Sequence, residues 1–251
     1  MIISKSGMKT IEFFSMLPGV ADACPVIPAS QFRPKWMSSA RQDYIDQLKT
    51  QEGRFNHIYQ CPGIFDLYNQ GFIIPAWHDI LIKTNGNLTG FAWMTPSVEF
   101  TDLTEGRAVV GKHNDGLDKY LPKKPWALKS IIKFNTPWHI IAPKGLKFLM
   151  LPVAYTDSYE FESTIGILDP GISSEINVQV YWNVPNGEHI VKAGTPLAHL
   201  VPLTPDKYDI LCRDMTAHDE QWIKKRAFFN NFTFKTNRNR IRDFYYKHFG
   251  K

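Results

Sequence analysis

Three polar residues in this chain carry the side chains and spacing of iron chemistry. His113 and Asp115, in Lys112-His113-Asn114-Asp115-Gly116, have the His-x-Asp spacing of two metal ligands, and His189 is the candidate third. Two imidazoles and one carboxylate on one face of Fe(II) leave positions open for oxygen and a co-substrate. Asn114-Asp115-Gly116 is also an ordinary turn, and His189 follows Asn186-Gly187-Glu188 at an expected loop tip, so the metal site stands as an alternative. Asp169, in Leu168-Asp169-Pro170-Gly171, offers a carboxylate to a ligand. An Asp before Pro-Gly also caps its own turn by side-chain hydrogen bonds. His139, beside Trp138, is a second candidate for lining a polar pocket, against the plainer reading of a core histidine. Cys61, before Pro62-Gly63, has no base that the sequence can name. His78 and Asp79 are neighbours on an expected strand and point to opposite faces, so they cannot act on one substrate atom.

A second kind of chemistry sits at the C-terminus. The chain carries a net charge of +5, yet residues 224–251 alone hold nine Lys or Arg against Asp243. The basicity therefore belongs to the tail. Lys224, Lys225, Arg226, Arg238, Arg240 and Arg242 alternate with Phe228, Phe229, Phe232, Phe234, Tyr245 and Tyr246. Cations on phosphates with rings stacked on bases is one reading, giving nucleotide or nucleic acid as partner. The other is a pair of amphipathic helices whose rings pack on the body while the charges meet water.

The elements that position these residues are mostly strands. Seventeen Pro and sixteen Gly in 251 residues favour many turns over long helices, and a chain of this length builds a full core without staples. Residues 9–16 read as a strand, and Trp36, Ala40, Tyr44 and Leu48 recur every four residues as an inserted helix near 34–50. Residues 55–60 read as a short strand, 62–68 as a helical turn, and 72–83 as a strand broken at Pro75. Asn85-Gly86 predicts a tight type I′ hairpin. Residues 96–128 read as loops. Two strands flank Pro137, an apolar strand covers 146–153, and residues 176–183 alternate cleanly as a half-buried strand. Pro185-Asn186-Gly187 reads as a turn, and a last strand covers 197–201. Thr216 and Asp219 form a variant capping box that opens a helix, with a second helix over 238–249. The expected organisation is a single domain over 1–251, with a β-rich core at 9–205 and a helical, basic extension at 213–251. Three cysteines without CxxC spacing argue for a reducing compartment, and no stretch approaches a membrane span, so a cytoplasmic protein is expected.

Gly166-Ile167-Leu168-Asp169-Pro170-Gly171, the polar–apolar strand after it, and Gly194-Thr195-Pro196-Leu197-Ala198-His199-Leu200 resemble the core of the dUTPase and dCTP deaminase superfamily over residues 137–202. That resemblance implies a β-clip or jelly-roll-like barrel, usually a trimer, flanked here by an N-terminal helix and the C-terminal helical extension. It also implies that Asp169 contacts a sugar. The deaminase's general base falls at Gln179, which cannot take a proton, and the base-stacking aromatic falls at Ile172. The scaffold is therefore expected without its catalytic groups and without a cofactor, acting in binding or assembly, with nucleotide sequestration at the Asp169 turn as a further possibility. Residues 61–82 (CPGIFDLYNQGFIIPAWHDILI), 135–145 (NTPWHIIAPKG), 166–171 (GILDPG) and 193–203 (AGTPLAHLVPL) together resemble, over most of the chain, an uncharacterised family of bacteria and of marine phages, which implies the cytoplasm of an infected cell. The iron alternative implies Fe(II) and 2-oxoglutarate as cofactors, with His189 placed as the distal histidine of such oxygenases.

Overall fold

Alternation decides the central strand. Ile176, Val178, Val180 and Trp182 are fully buried, while Glu175, Asn177, Gln179 and Tyr181 between them keep partial access to solvent. The computed structural model describes residues 9–51, 55–96, 102–103, 107–113, 119–232, 243 and 246–247.

The chain opens with β1 (Thr10–Ser15), a short helix α1 (Val20–Ala23) and β2 (Ile27–Pro28), then passes through helices α2 (Lys35–Thr50) and α3 (Pro62–Tyr68). Strands β3 (Phe72–Pro75), β4 (Ile80–Asn85) and β5 (Phe91–Met94) follow, then the short β6 (Asp102–Leu103), β7 (Arg107–Ala108) and β8 (Val110–Lys112). The second half holds β9 (Ile132–Ile141), β10 (Phe148–Leu151), β11 (Phe161–Ser163), β12 (Gly166–Leu168) and β13 (Glu175–Trp182). It ends with β14 (Asn186–Val191), β15 (Pro196–Pro202), β16 (Asp209–Asp214) and helix α4 (Ala217–Phe232).

The protein is mainly β. One sheet runs β11-β13-β9-β1-β16, with β8 also paired to β9; the second runs β12-β10-β15-β3-β2; β14-β4-β5 forms a third. Among the described residues no sheet closes on itself, so the expected closed barrel is replaced by open sheets around a shared core. Phe13 of the first sheet meets Phe72 of the second edge-on at 5.3 Å, and Trp138, Trp182, Phe148 and Leu200 complete the buried layer. The chain changes sheet between β11 and β12, so both are edge strands. Among the described residues, no helix is long and apolar enough to cross a membrane.

Several elements depart from the sequence reading for identifiable reasons. The two strands expected around Pro137 are one strand, β9. Proline has no N–H to give a ladder, and β13 shifts register between Glu175 and Asn177, beside this point, so none is demanded. Residues 58–60 form a 3-10 turn instead of a strand, because the Tyr59 N–H donates to His57 Nδ1 and the Phe55, His57 and Tyr59 rings gather on Tyr44 of α2. The β4–β5 hairpin exists, but its last pair is Thr84 with Phe91. The connection is therefore longer than a type I′ turn and is organised by Asn87, whose Oδ1 accepts from the Thr89 and Gly90 N–H groups at 2.9 and 3.1 Å. Asn186 and Gly187 are not a turn but the start of β14, paired with β4.

β16 is an unforeseen element. It lies parallel to β1 over six pairs, from Thr10 with Asp209 to Ser15 with Asp214, at the edge of the first sheet. The capping box that follows is formed as expected: the Thr216 N–H donates to Asp219 Oδ2 at 2.9 Å and the Asp219 N–H to Thr216 Oγ1 at 3.3 Å. Trp222 of α4 then packs on Phe14, covering the outer face of β1.

Candidate functional site

The outward face of β13 is the floor of a cleft of about 420 Å³. Glu175, Asn177 and Gln179 rise from the strand at two-residue intervals, and His113, Thr164 and Ser173 add polar atoms. Leu121, Met150, Ile165, Ile167 and Leu168 make the apolar walls. Ile165 and Ile167 are 69% and 57% exposed, so the walls at the edge strand remain open to solvent. An apolar cleft of a few hundred Å³ with convergent polar groups is the usual form of a small-molecule site.

Asn177 Nδ2 donates to Glu175 Oε2 at 3.2 Å, which fixes the amide's orientation. Asn177 Oδ1 is then buried with no hydrogen-bond partner among the described residues. A buried amide oxygen without a donor costs about 1–3 kcal/mol, which a ligand N–H or O–H would relieve. Gln179 can donate and accept but cannot move a proton at neutral pH.

The expected site residues separate. Gln179 and His113 share the cleft. His139 does not line it: it is 2% exposed, stacks on Phe14 at 5.0 Å, and has Nδ1 2.9 Å from Ser174 Oγ. Asp169 is spent on its own turn, with Oδ1 accepting from the Gly171 N–H at 3.0 Å and Oδ2 lying 3.7 Å from Lys147 Nζ. The Tyr246 hydroxyl rests on this turn, so close to Gly171 that an added Cβ would come within 2.9 Å of it, and it accepts from the Gly145 N–H at 2.7 Å.

His189 stands elsewhere, on β14, with its ring edge-on to Trp182 at 5.9 Å and Nδ1 3.7 Å from Glu160. Asp115 lies outside the described residues. Among those residues no group of three or more His, Cys, Asp and Glu side chains is placed to hold a metal ion.

On α4, Lys224 pairs with Glu220 at 2.6 Å, and Lys224 and Lys225 are exposed. The Arg226 side chain and all of Arg238, Arg240 and Arg242 lie outside the described residues, as does most of the expected second helix. Cys61 joins a small cluster of Met37, Ile64 and Tyr68. Burial pushes the Cys212 thiol up to about 11, and its S–H donates to the Val26 carbonyl at 3.1 Å, so the protonated form is favoured at neutral pH.

The sequence missed most of this cleft. The uninterrupted polar series at 175, 177 and 179 was the available signal; the walls come from β10, β12, Ile165 and Leu121, which no local pattern connects. No protein-family model matches this chain, and no curated protein is significantly similar to it.

Proposed function

We propose that the protein binds a small ligand with a heteroaromatic, nucleobase-like edge in the β13 cleft and does not transform it. The observation that supports this most is Asn177 Oδ1, a fixed and buried acceptor beside the Gln179 amide. Two amides on one strand face can read a donor–acceptor edge, while Ile165, Ile167 and Met150 supply apolar contact for a planar ring. A glutamine stands at the position that the dUTPase-like resemblance assigns to a general base, which agrees with binding without turnover. In this reading the scaffold belongs with the β-clip proteins and came to the cell with a phage.

The test is thermal unfolding with a panel of free bases, deoxynucleosides and deoxynucleotides. A ligand at a hundredfold excess over its Kd is expected to raise the Tm by roughly 5–10 °C. Asn177→Ala and Gln179→Ala are expected to abolish that shift. A flat response across the panel, or release of phosphate or ammonia from any member, overturns the proposal.

A further inference from the structure

Residues 152–160 join β10 to β11 without regular structure, yet three of their carbonyls are held by side chains from elsewhere. The Tyr68 hydroxyl of α3 donates to the Ala154 carbonyl. The Trp36 indole N–H of α2 donates to the Tyr155 carbonyl at 2.8 Å. Asn183, just past β13, donates from Nδ2 to the Tyr159 carbonyl at 3.0 Å. Loops of this kind are ordinarily the mobile parts of a fold. Here the inserted helices and the central strand fix the loop from separate elements, which is the preorganisation that binding requires.

What this frame holds in place is a pair of tyrosine rings. Tyr155 sits at φ 53, a left-handed conformation that non-glycine residues avoid, and its ring is packed edge-on by Trp36 at 6.2 Å. Strain of this kind persists where the surroundings over-determine it, and it clusters at ligand sites. Tyr155 is 58% exposed and Tyr159 79%. Both line a cleft of about 250 Å³ whose wall includes Pro152, Phe161 and Leu197. Asn183 also lines it, and its Oδ1 is buried without a hydrogen-bond partner among the described residues. This cleft shares none of its lining residues with the β13 cleft.

The geometry points to a second site here, one that binds a neutral saccharide. Charge selects the class. Lys124 and Glu162 are the charged residues of the lining, and they are paired with each other, so the cleft offers no net charge to a phosphate. Aromatic faces carry negative potential and attract the C–H face of a pyranose. Hydroxyls at the sugar rim would donate to Asn183 Oδ1 and exchange hydrogen bonds with Thr156 and Ser158. Tyr155 and Tyr159 are the platforms, and Asn183 the orienting acceptor.

The experiment is isothermal titration calorimetry of the full chain with maltotetraose, cellotetraose and tetra-N-acetylchitotetraose, and in parallel with inorganic phosphate and a proline-rich decapeptide. At least one tetrasaccharide is expected to bind. Tyr159→Ala should weaken that binding about tenfold or more while leaving the Tm unchanged, because the ring is solvent-facing. Tyr159→Phe should retain most of it, and Gln179→Ala should leave it untouched, which separates this site from the β13 cleft. Absence of tetrasaccharide binding at millimolar concentration overturns the assignment. So does saccharide binding indifferent to Tyr159→Ala, or Tyr159-dependent binding of phosphate or of the peptide in place of the sugar.

Discussion

Gly71→Ala is expected to lower the stability of this protein by roughly 3–5 kcal/mol, a loss of order 10 °C in Tm. Gly71 has φ +78, and a Cβ there would stand 2.1 Å from the Leu200 carbonyl oxygen and 2.9 Å from its carbon. Those atoms are backbone of β15, locked between β10 and β3. The methyl group cannot be accommodated by a side-chain rotation, so the β3–β15 pairing must open. Two neighbouring interactions would go with it: the Ala29 N–H donates to the Gly71 carbonyl at 2.9 Å, and His199 Nε2 bonds to the Gln70 carbonyl at 2.6 Å. Gly86→Ala is the control. Gly86 has almost the same φ of +79, but its added Cβ would meet Asn186 side-chain atoms at an ordinary 3.6 Å. Its cost is confined to left-handed strain, about 1–2 kcal/mol. Urea unfolding of the two variants measures the difference. Equal losses would show that backbone conformation alone, and not the close approach to β15, sets the effect.

The second large effect is expected at Asp219. Its carboxylate is 1% exposed and accepts from Arg213 at 2.6 and 3.1 Å while capping α4 through Thr216. Asp219→Ala removes the cap and leaves the Arg213 guanidinium over the Phe14 ring with the Glu12 carboxylate at 3.4 Å and the Asp214 carbonyl at 3.2 Å. Breaking one side of such a pair costs roughly 3–5 kcal/mol when both partners are buried. Arg213 keeps 26% of its side-chain surface in water, which places the expected loss nearer 2–4 kcal/mol.

The pH dependence follows from Asp219 itself. Burial pushes its carboxyl up, but the hydrogen bonds from Arg213 and Thr216 and the guanidinium charge outweigh burial and hold it below the usual carboxylate range. A folded-state value below the unfolded one means that the stabilisation is complete above about pH 4 and is lost as pH falls through the folded value. Wild type and Asp219→Asn should therefore differ most near neutrality and converge at the acid end. A gap in urea midpoint that stays constant from neutral pH into strong acid would rule out the ionised carboxylate as its source.

Local patterns carried the sequence reading a long way. The alternation from Ile176 to Asn183 announced β13 as a half-buried strand with Gln179 on its accessible face. Thr216 and Asp219 announced α4, because a capping box is complete within four residues. What escaped was non-local or compensated. Asp209–Asp214 is uniformly half-buried and carries Arg213 and two aspartates, so it showed no period, and its strand character comes from pairing with a segment at the other end of the chain. His139 and Asp169 were chosen for their residue types, and type does not distinguish a histidine stacked under a helix from one lining a cleft. The aromatic run from Phe55 to Tyr59 has the composition of a strand, but α2 offered those rings a nearer surface.

The parallel seam between β1 and β16 has a consequence for the newborn chain. Phe13 and Phe14 are translated well before their neighbours: β9 and β16, which flank their strand, follow about 130 and 200 residues later. At roughly 5–20 residues per second, that opening strand waits some ten to forty seconds before its last neighbour exists. For that interval its greasy side chains lack the flanking strands that cover them in the finished fold.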